Sequence, residues 1–384
     1  MRSKYIGILF VLSYLLTGCI PEQTIEELAV ISGRGIDFTE DNRLEKTLNV
    51  IRFDPQSDDL YTTLTGIGDT LKGAREEASY RTAYELVEGQ LNIEIFGKEV
   101  AQQGIAPYLS SSVRDALASD TMKLLVSETT AKEIFHSDSS KSKTIGNYLD
   151  TLINKEVEEG KMVPIVVHDF TRRTETIGQD GILPIVGLRE NEPRIVGIAL
   201  FQGYRYVADI TLHQGTLINL FRNKLANTPM QITLPREPFK KYIVEYGGRD
   251  KGNSKNDNND EISFHLRVVK GNSKTKVKDV KNLTYHTDIH LKVDLMEATE
   301  TVSIKNSHVA DIFEREMEKE VKAEYEELLK QTQDAKSDPF GYGKLYRANT
   351  KDGKLTEKEW REKFPNIHVN FHVHVELMNY GTIK

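Results

Sequence analysis

Two periodicities divide this chain. Apolar and polar residues alternate with a period of two along Ile262–Val269, Leu283–Leu295 and Ile367–Leu377, the pattern of half-buried antiparallel strands. A period near 3.6 governs His308–Gln333, where Val309, Ile312, Phe313, Val321, Leu328 and Leu329 share one face and charges the other. Ser307 or Asn306 can cap the start of that helix, and Asp338-Pro339 stops the chain from continuing it. This end of the chain reads as a sheet packed by one long helix.

Upstream the pattern is mixed. Leu28–Phe38 and Leu44–Phe53 read as paired strands around the turn Thr39-Glu40-Asp41-Asn42, with a mostly polar run, Gln56–Lys72, after them. Helices are expected over Arg75–Glu88, from Gly97 to Gly104, around Val113–Leu117 and Thr121–Leu125, from a Thr129 or Thr130 cap to Phe135, and over Thr144–Glu158. Strands are expected at Leu91–Phe96, Met162–Val167 and Ile182–Leu188. Ile195–Phe201 and Tyr204–Ile210 form a hairpin about Gln202-Gly203, then Leu212–Leu225 is helical, and Ile232–Leu234 and Tyr242–Tyr246 are short strands. Gly247–Asp260 carries no apolar side chain and reads as a solvated loop. The expected class is α+β: three mixed domains with largely antiparallel sheets, at 19–190, 191–255 and 256–384, behind a leader at 1–18.

The leader has the parts of a secretion signal. Arg2 and Lys4 are its positive start, and Ile6–Leu16 is an apolar run too short for a bilayer core of about 30 Å. It ends in Leu16-Thr17-Gly18-Cys19, and Cys19 is the only cysteine of 384 residues. A signal ending in Leu-x-Gly-Cys resembles a bacterial lipobox. That resemblance implies cleavage before Cys19, an S-diacylglyceryl group on its sulfur and room for N-acylation of the new amino terminus. Two acyl chains meet the requirement for stable attachment. With no second cysteine an exported chain has no internal disulfide, and its stability must come from packing.

Composition narrows the partners. A net charge of −7 argues against nucleic acid. No second apolar stretch approaches 18 residues, so the expected membrane contact is the lipid on Cys19 and whatever protein sits beside it.

Candidate chemistry is sparse. His368, Asn370, His372, His374 and Glu376 share one face of the last strand, and His286, Asp288 and His290 one face of an earlier one. If those strands were neighbours, imidazoles and a carboxylate could converge on zinc; a solvated sheet face is the plainer reading. Lys270, Lys274, Lys276, Lys278 and Lys281 form a basic run, either an exposed hairpin or a surface against anionic headgroups beside the anchor. Gly341-Tyr342-Gly343-Lys344 lacks phosphate-loop spacing and reads as a helix-terminating turn. Gly33-Arg34-Gly35 reads as a bulge or a close backbone approach, and Trp360 with Phe364-Pro365 as core packing. There is no Gly-x-Ser-x-Gly, no thiol beyond Cys19, and nothing that pairs two carboxylates. No catalytic, cofactor or metal residue is assigned.

Several segments in order resemble one family. After the lipobox come Gly35-Ile36-Asp37, then Lys98-x-x-Ala101-x-x-Gly104-Ile105, Arg114-Asp115, Leu125-Val126 and Ala131-Lys132-Glu133-Ile134. Gly197-Ile198-Ala199-Leu200-Phe201 follows, then Asp338-Pro339-Phe340-Gly341-Tyr342-Gly343, Trp360 and the last alternating strand. Together they resemble the Ger(x)C lipoproteins, the C subunits of GerA-type germinant receptors of endospore-forming bacteria. One departure is Ile20, where the family often has Trp. The resemblance implies three α+β domains, no known catalytic residue, and Cys19 as the one functional residue that carries over. It implies a spore inner-membrane location on the outer face, with a polytopic A subunit and a transporter-like B subunit as partners. Nutrients such as amino acids or sugars would be sensed by the complex, and whether this subunit touches them stays open. The alternative is a solute-binding lipoprotein of a membrane transporter, which would need two doubly wound lobes.

Overall fold

The computed structural model describes residues 24–53, 60–89, 91–113, 121–137, 144–163, 166–222, 225–244, 260–303 and 307–379. The leader, Cys19, Ile20, Arg114-Asp115 and nearly all of the Gly247–Asp260 loop lie outside them.

Nine strands build the first sheet: β1 (Leu28–Phe38), β2 (Leu44–Arg52), β3 (Tyr61–Gly68), β4 (Glu85–Val87), β5 (Ile93–Phe96), β6 (Lys123–Ser127), β7 (Ile182–Arg189), β8 (Glu192–Gln202) and β9 (Arg205–Ile210). Their order is β3-β2-β1-β5-β6-β7-β8-β9, with β4 also beside β1. The outer wings are antiparallel, and the centre, β1-β5-β6-β7, is parallel. Parallel neighbours need long crossovers. Here they are supplied by α1 (Leu71–Ser79), α2 (Lys98–Gln103), α3 (Ala106–Val113), α4 (Ala131–His136), α5 (Ile145–Glu158) and α6 (Val167–Thr174).

The parallel centre explains two departures from the periodicity. Thr121–Leu125 reads as helical, yet Lys123–Ser127 is β6, because Leu124, Leu125 and Val126 are buried on both faces and lose the alternation of a half-exposed strand. The helix expected to Glu88 stops at Ser79, where Tyr80, Arg81 and Thr82 donate N–H groups three residues back. The chain then returns as β4, which pairs with β1 and buries Leu86. The polar run before α1 holds the unexpected β3, a wing strand rich in threonine. Among the described residues of Met162–Val167, Val166 bridges to Lys123 before Val167 opens α6.

Gly33 and Gly35 satisfy both readings of their motif. The register shifts between Ile31 and Gly33, and a Cβ at Gly33 would lie 2.9 Å from the Phe135 ring, so the ring of α4 needs bare backbone beneath it. Asp37 beside them accepts N–H bonds from Ala131 and Lys132 at 2.8 and 2.9 Å, and burial pushes its carboxyl up to about 6.

The second sheet is β10 (Thr228–Pro235), β11 (Glu261–Asp279), β12 (Thr284–Ala298) and β13 (His368–Asn379), in that order. Helix α7 (Leu212–Arg222) joins the two sheets; α8 (Ser307–Asp334), α9 (Tyr342–Asn349) and α10 (Glu357–Lys363) lie between β12 and β13 in the chain. That crossover makes β13 parallel to β12, where the alternating pattern had suggested an antiparallel partner. Val309, Phe313, Val321 and Tyr325 of α8 share one core with Ile289, Val293, Phe371 and Val373 of the sheet. The expected sheet packed by one long helix is present.

Sheet membership cuts across the boundary drawn at 190/191. Glu190 and Asn191 have φ of 54° and 62°, a two-residue turn of the kind that joins hairpin strands. It returns β7 directly into β8, so residues on both sides belong to one ladder. Of the strands expected at 191–255, β8 and β9 complete the first sheet and β10 the second. Of the strand expected at Tyr242–Tyr246, residues 242–244 are described, and Ile243 bridges to Val302.

Candidate functional site: an open basic face and a buried junction

Cys19 lies outside the described residues, so the described chain offers two places for function. The first is the face of the second sheet turned away from α8. Alternation sends Tyr285, Ile289 and Leu291 of β12 inward, with Phe371, Val373 and Val375 of β13. It sends outward His286, Asp288, His290 and Lys292 of β12 and His368, Asn370, His372, His374 and Glu376 of β13. The parallel register puts His290 opposite His374 and Lys292 opposite Glu376. Lys270, Lys274 and Lys276 of β11 stand opposite Lys292, Asp288 and His286.

The strands are thus the neighbours a zinc site required. His290 nevertheless stacks on His374 at 5.0 Å and 17°, while His286 lies tilted by 44° against His372 at 4.3 Å. Stacked imidazoles do not aim their nitrogens at one point. Among the described residues no group of three or more His, Cys, Asp or Glu is placed to hold a metal ion. The two carboxylates beside these rings are engaged, Asp288 with His286 at 3.0 Å and Glu376 with Lys292 at 2.6 Å. Lys270, Lys274, Lys276 and Lys278 are exposed and make no ion pair among the described residues.

The second place is a buried polar junction under Asp338-Pro339-Phe340-Gly341-Tyr342-Gly343. The Asp338 carboxylate accepts N–H bonds from Gly341 (2.7 Å), Gly343 (3.0 Å) and the Trp360 indole (3.0 Å). Burial pushes its carboxyl up to about 7, against the pull of those backbone donors. Asp338 and Asp180 exchange backbone-linked bonds at 2.7 and 2.8 Å, and Asp180 in turn pairs with Arg361 and accepts the Gly203 N–H. Arg222 donates to the carbonyls of Pro339 and Asp180, and Ser337 to that of Phe201. The junction ties β7, β8, α7, α9 and α10 into one body. Most of the converging groups satisfy one another, while Arg222 Nη1 is buried without a hydrogen-bond partner among the described residues.

Sequence reading found part of this. Trp360 and Phe364 are fully buried, as expected of packing residues. Gly341-Tyr342-Gly343-Lys344 opens α9, where a helix-terminating turn was expected; Gly341 stands at φ 80°, and a Cβ on Gly343 would lie 2.4 Å from Gly178 Cα. Asp180, Arg222 and Arg361 were missed because they are far apart in the chain and sit in no motif. The one signal was an aspartate ahead of a glycine pair.

A cavity of about 440 Å³ opens at the seam of the two sheets, between α5, β8, α7 and β10. Leu152, Met162 and Ile195 make part of its apolar wall. Its charged residues are already paired: Lys161 with Glu156 and Glu159, His213 with Glu324, Arg194 with Glu192.

Comparison with known proteins places this architecture. Residues 21–188 match the family described as spore germination protein N-terminal domain, and residues 196–381 match spore germination B3/GerAC like, C-terminal. Spore germination protein GerQC of Bacillus cereus is 21% identical over 375 residues, 97% of this chain and 98% of that protein. Spore germination protein YndF of Bacillus subtilis is 22% identical over 402 residues, 98% of this chain and 96% of that protein. The crystal structure of the GerBC protein superposes with a TM-score of 0.53 at 15% identity, covering 90% of this chain and 97% of that one, a likeness of fold.

Proposed function

We propose, for a chain that belongs to the GerAC-like family of spore germination proteins, that it is the lipid-anchored C subunit of a nutrient germinant receptor. The observation that carries this reading is the matching of both family halves, in order, behind a leader that ends in Leu-x-Gly-Cys. In this reading Cys19 carries the acyl chains, the folded body stands on the outer face of the spore inner membrane, and integral-membrane A and B subunits are its partners. Tethering holds the body at high effective concentration beside them. The subunit works without catalysis, in assembly of the complex or in passing its signal. The solute-binding alternative asks for two doubly wound lobes; the described residues form a nine-stranded and a four-stranded sheet, both mixed.

Deleting the gene and scoring spore germination with individual nutrients tests the proposal. Loss of the response to at least one nutrient, restored by the intact gene, supports it. Full responses to every nutrient, in a strain stripped of related receptors, would remove it.

A further inference from the structure

We propose that the open face of β11, β12 and β13 is a docking surface for anionic lipid headgroups. The inference deepens the anchored reading: it takes from that reading which way the body faces, while the attraction itself follows from the surface alone.

The chain as a whole is acidic, at −7, yet this face is the reverse. Lys270, Lys274, Lys276, Lys278 and Lys292 stand on it, and Lys281 is in the turn at its end. Against them, in the stretch from Lys270 to Lys292, are Asp288 and Glu376, each bound to a neighbour on the same face, and Asp279, which is occupied by Asn282 and the Lys281 N–H; Asp294, held by Arg267, and the exposed Glu261 and Glu297 lie toward the opposite end of β11 and β12. Five histidines, His286, His290, His368, His372 and His374, fill the space between, and each can only add positive charge. Lysines two residues apart on one strand repeat about every 7 Å, within a Debye length of about 8 Å, so a charged plane feels them together.

The character of the face selects the occupant. Protein interfaces are built around buried aromatic or aliphatic anchors. From Lys270 to Lys278 and from His286 to Lys292 this face has none; the exposed Met296 and Met378 lie at the far ends of β12 and β13. Recognition of single phosphates favours the arginine fork. The arginine on this side, Arg267, is bound to Asp294, and the free charges are lysine ammonium groups. Point charges on flexible stems, spread along one face of a sheet, suit a plane of many equivalent anions.

The test uses the full chain, purified from membranes and reconstituted into vesicles of phosphatidylcholine alone or with about 30% phosphatidylglycerol, an anionic fraction high enough to give a surface potential. Fluorophores go on Asn370→Cys, in the face, or on Ala323→Cys, on the exposed side of α8, and headgroup-attached quencher reports proximity. The expected result is about twofold stronger quenching at Asn370→Cys than at Ala323→Cys, only with phosphatidylglycerol, and lost in about 0.5 M salt. The variant K270E/K274E/K276E/K278E, whose positions are exposed and unpaired, should lose it while keeping its circular dichroism. If the protein floats with both vesicle types but the two labels are quenched alike, anchoring stands and the docking face falls. If it floats with anionic vesicles alone, the lipid anchor falls and the docking face stands. If it floats with neither, or if the four-glutamate variant is quenched like wild type, the docking face is overturned. Burial of the Asn370 label against an acidic protein, with no headgroup quenching, overturns it as well.

Discussion

The indole N–H of Trp360 donates to the carboxylate of Asp338 at 3.0 Å, in a place where neither residue is exposed. That bond joins the start of α10 to the loop before α9. Trp360→Phe leaves the carboxylate oxygen one donor short and a void beside Tyr346 and Phe364. The expected loss is about 3 kcal/mol. Urea melts followed by far-ultraviolet circular dichroism read it, since the change removes the only tryptophan.

Arg361 is the cation beside buried Asp180. Arg361→Met strands that carboxylate, which also holds the Gly203 and Asp338 N–H groups. A loss of about 3–5 kcal/mol is expected. The double change Asp180→Asn with Arg361→Met should cost less than the sum of the single changes, because it removes the stranded charge along with its partner. A double-mutant cycle in urea checks the coupling; additive costs would show that the pair acts separately.

Lys46 of β2 is buried near Arg34, and burial with that like charge pushes its ammonium down to about 8 from an ordinary 10.5. Below pH 8 both folded and unfolded chains hold the proton, and the folded one bears the full cost of burying it. Between pH 8 and 10.5 the unfolded chain holds more protons, so this group makes stability rise with pH in that window. Lys46→Met should stabilise the protein at pH 7 by on the order of 3 kcal/mol, with the gain shrinking toward pH 10.5. Denaturation midpoints of both proteins from pH 7 to 10.5 test the sign.

Cys19→Ala removes the proposed acyl attachment. The expected outcome is export without stable membrane attachment and loss of the germination response. Fractionation reads the first part; a variant that pellets with membranes like wild type would show that another tether dominates.

Legibility followed exposure. Where one face of an element meets water, the sequence displays the period. Ser307–Asp334, His368–Asn379 and the first half of Glu261–Asp279 were readable for that reason, and Thr130 announced α4 as a cap; the basic second half of Glu261–Asp279 continues the strand where an exposed hairpin was read. Where both faces are buried the period vanishes, and Lys123–Ser127 was mistaken for helix. The histidine and lysine positions were visible as polar alternation, but their assembly on one face depended on β13 joining β12 in parallel. Asp180 and Arg361 stand 181 residues apart, and no local pattern links them.

The tight turn at Glu190-Asn191 gives the two family halves a common spine. Their matches end at 188 and resume at 196, yet the strands on either side are laced together from Ile182–Leu200 to Arg189–Glu192. Scissors applied there would leave each piece with a raw edge of unpaired amides and carbonyls. A tug on one half by a neighbouring protein reaches the other as shear along that lacing, with many bonds resisting at once. Any bending between the halves must therefore come from somewhere other than this seam.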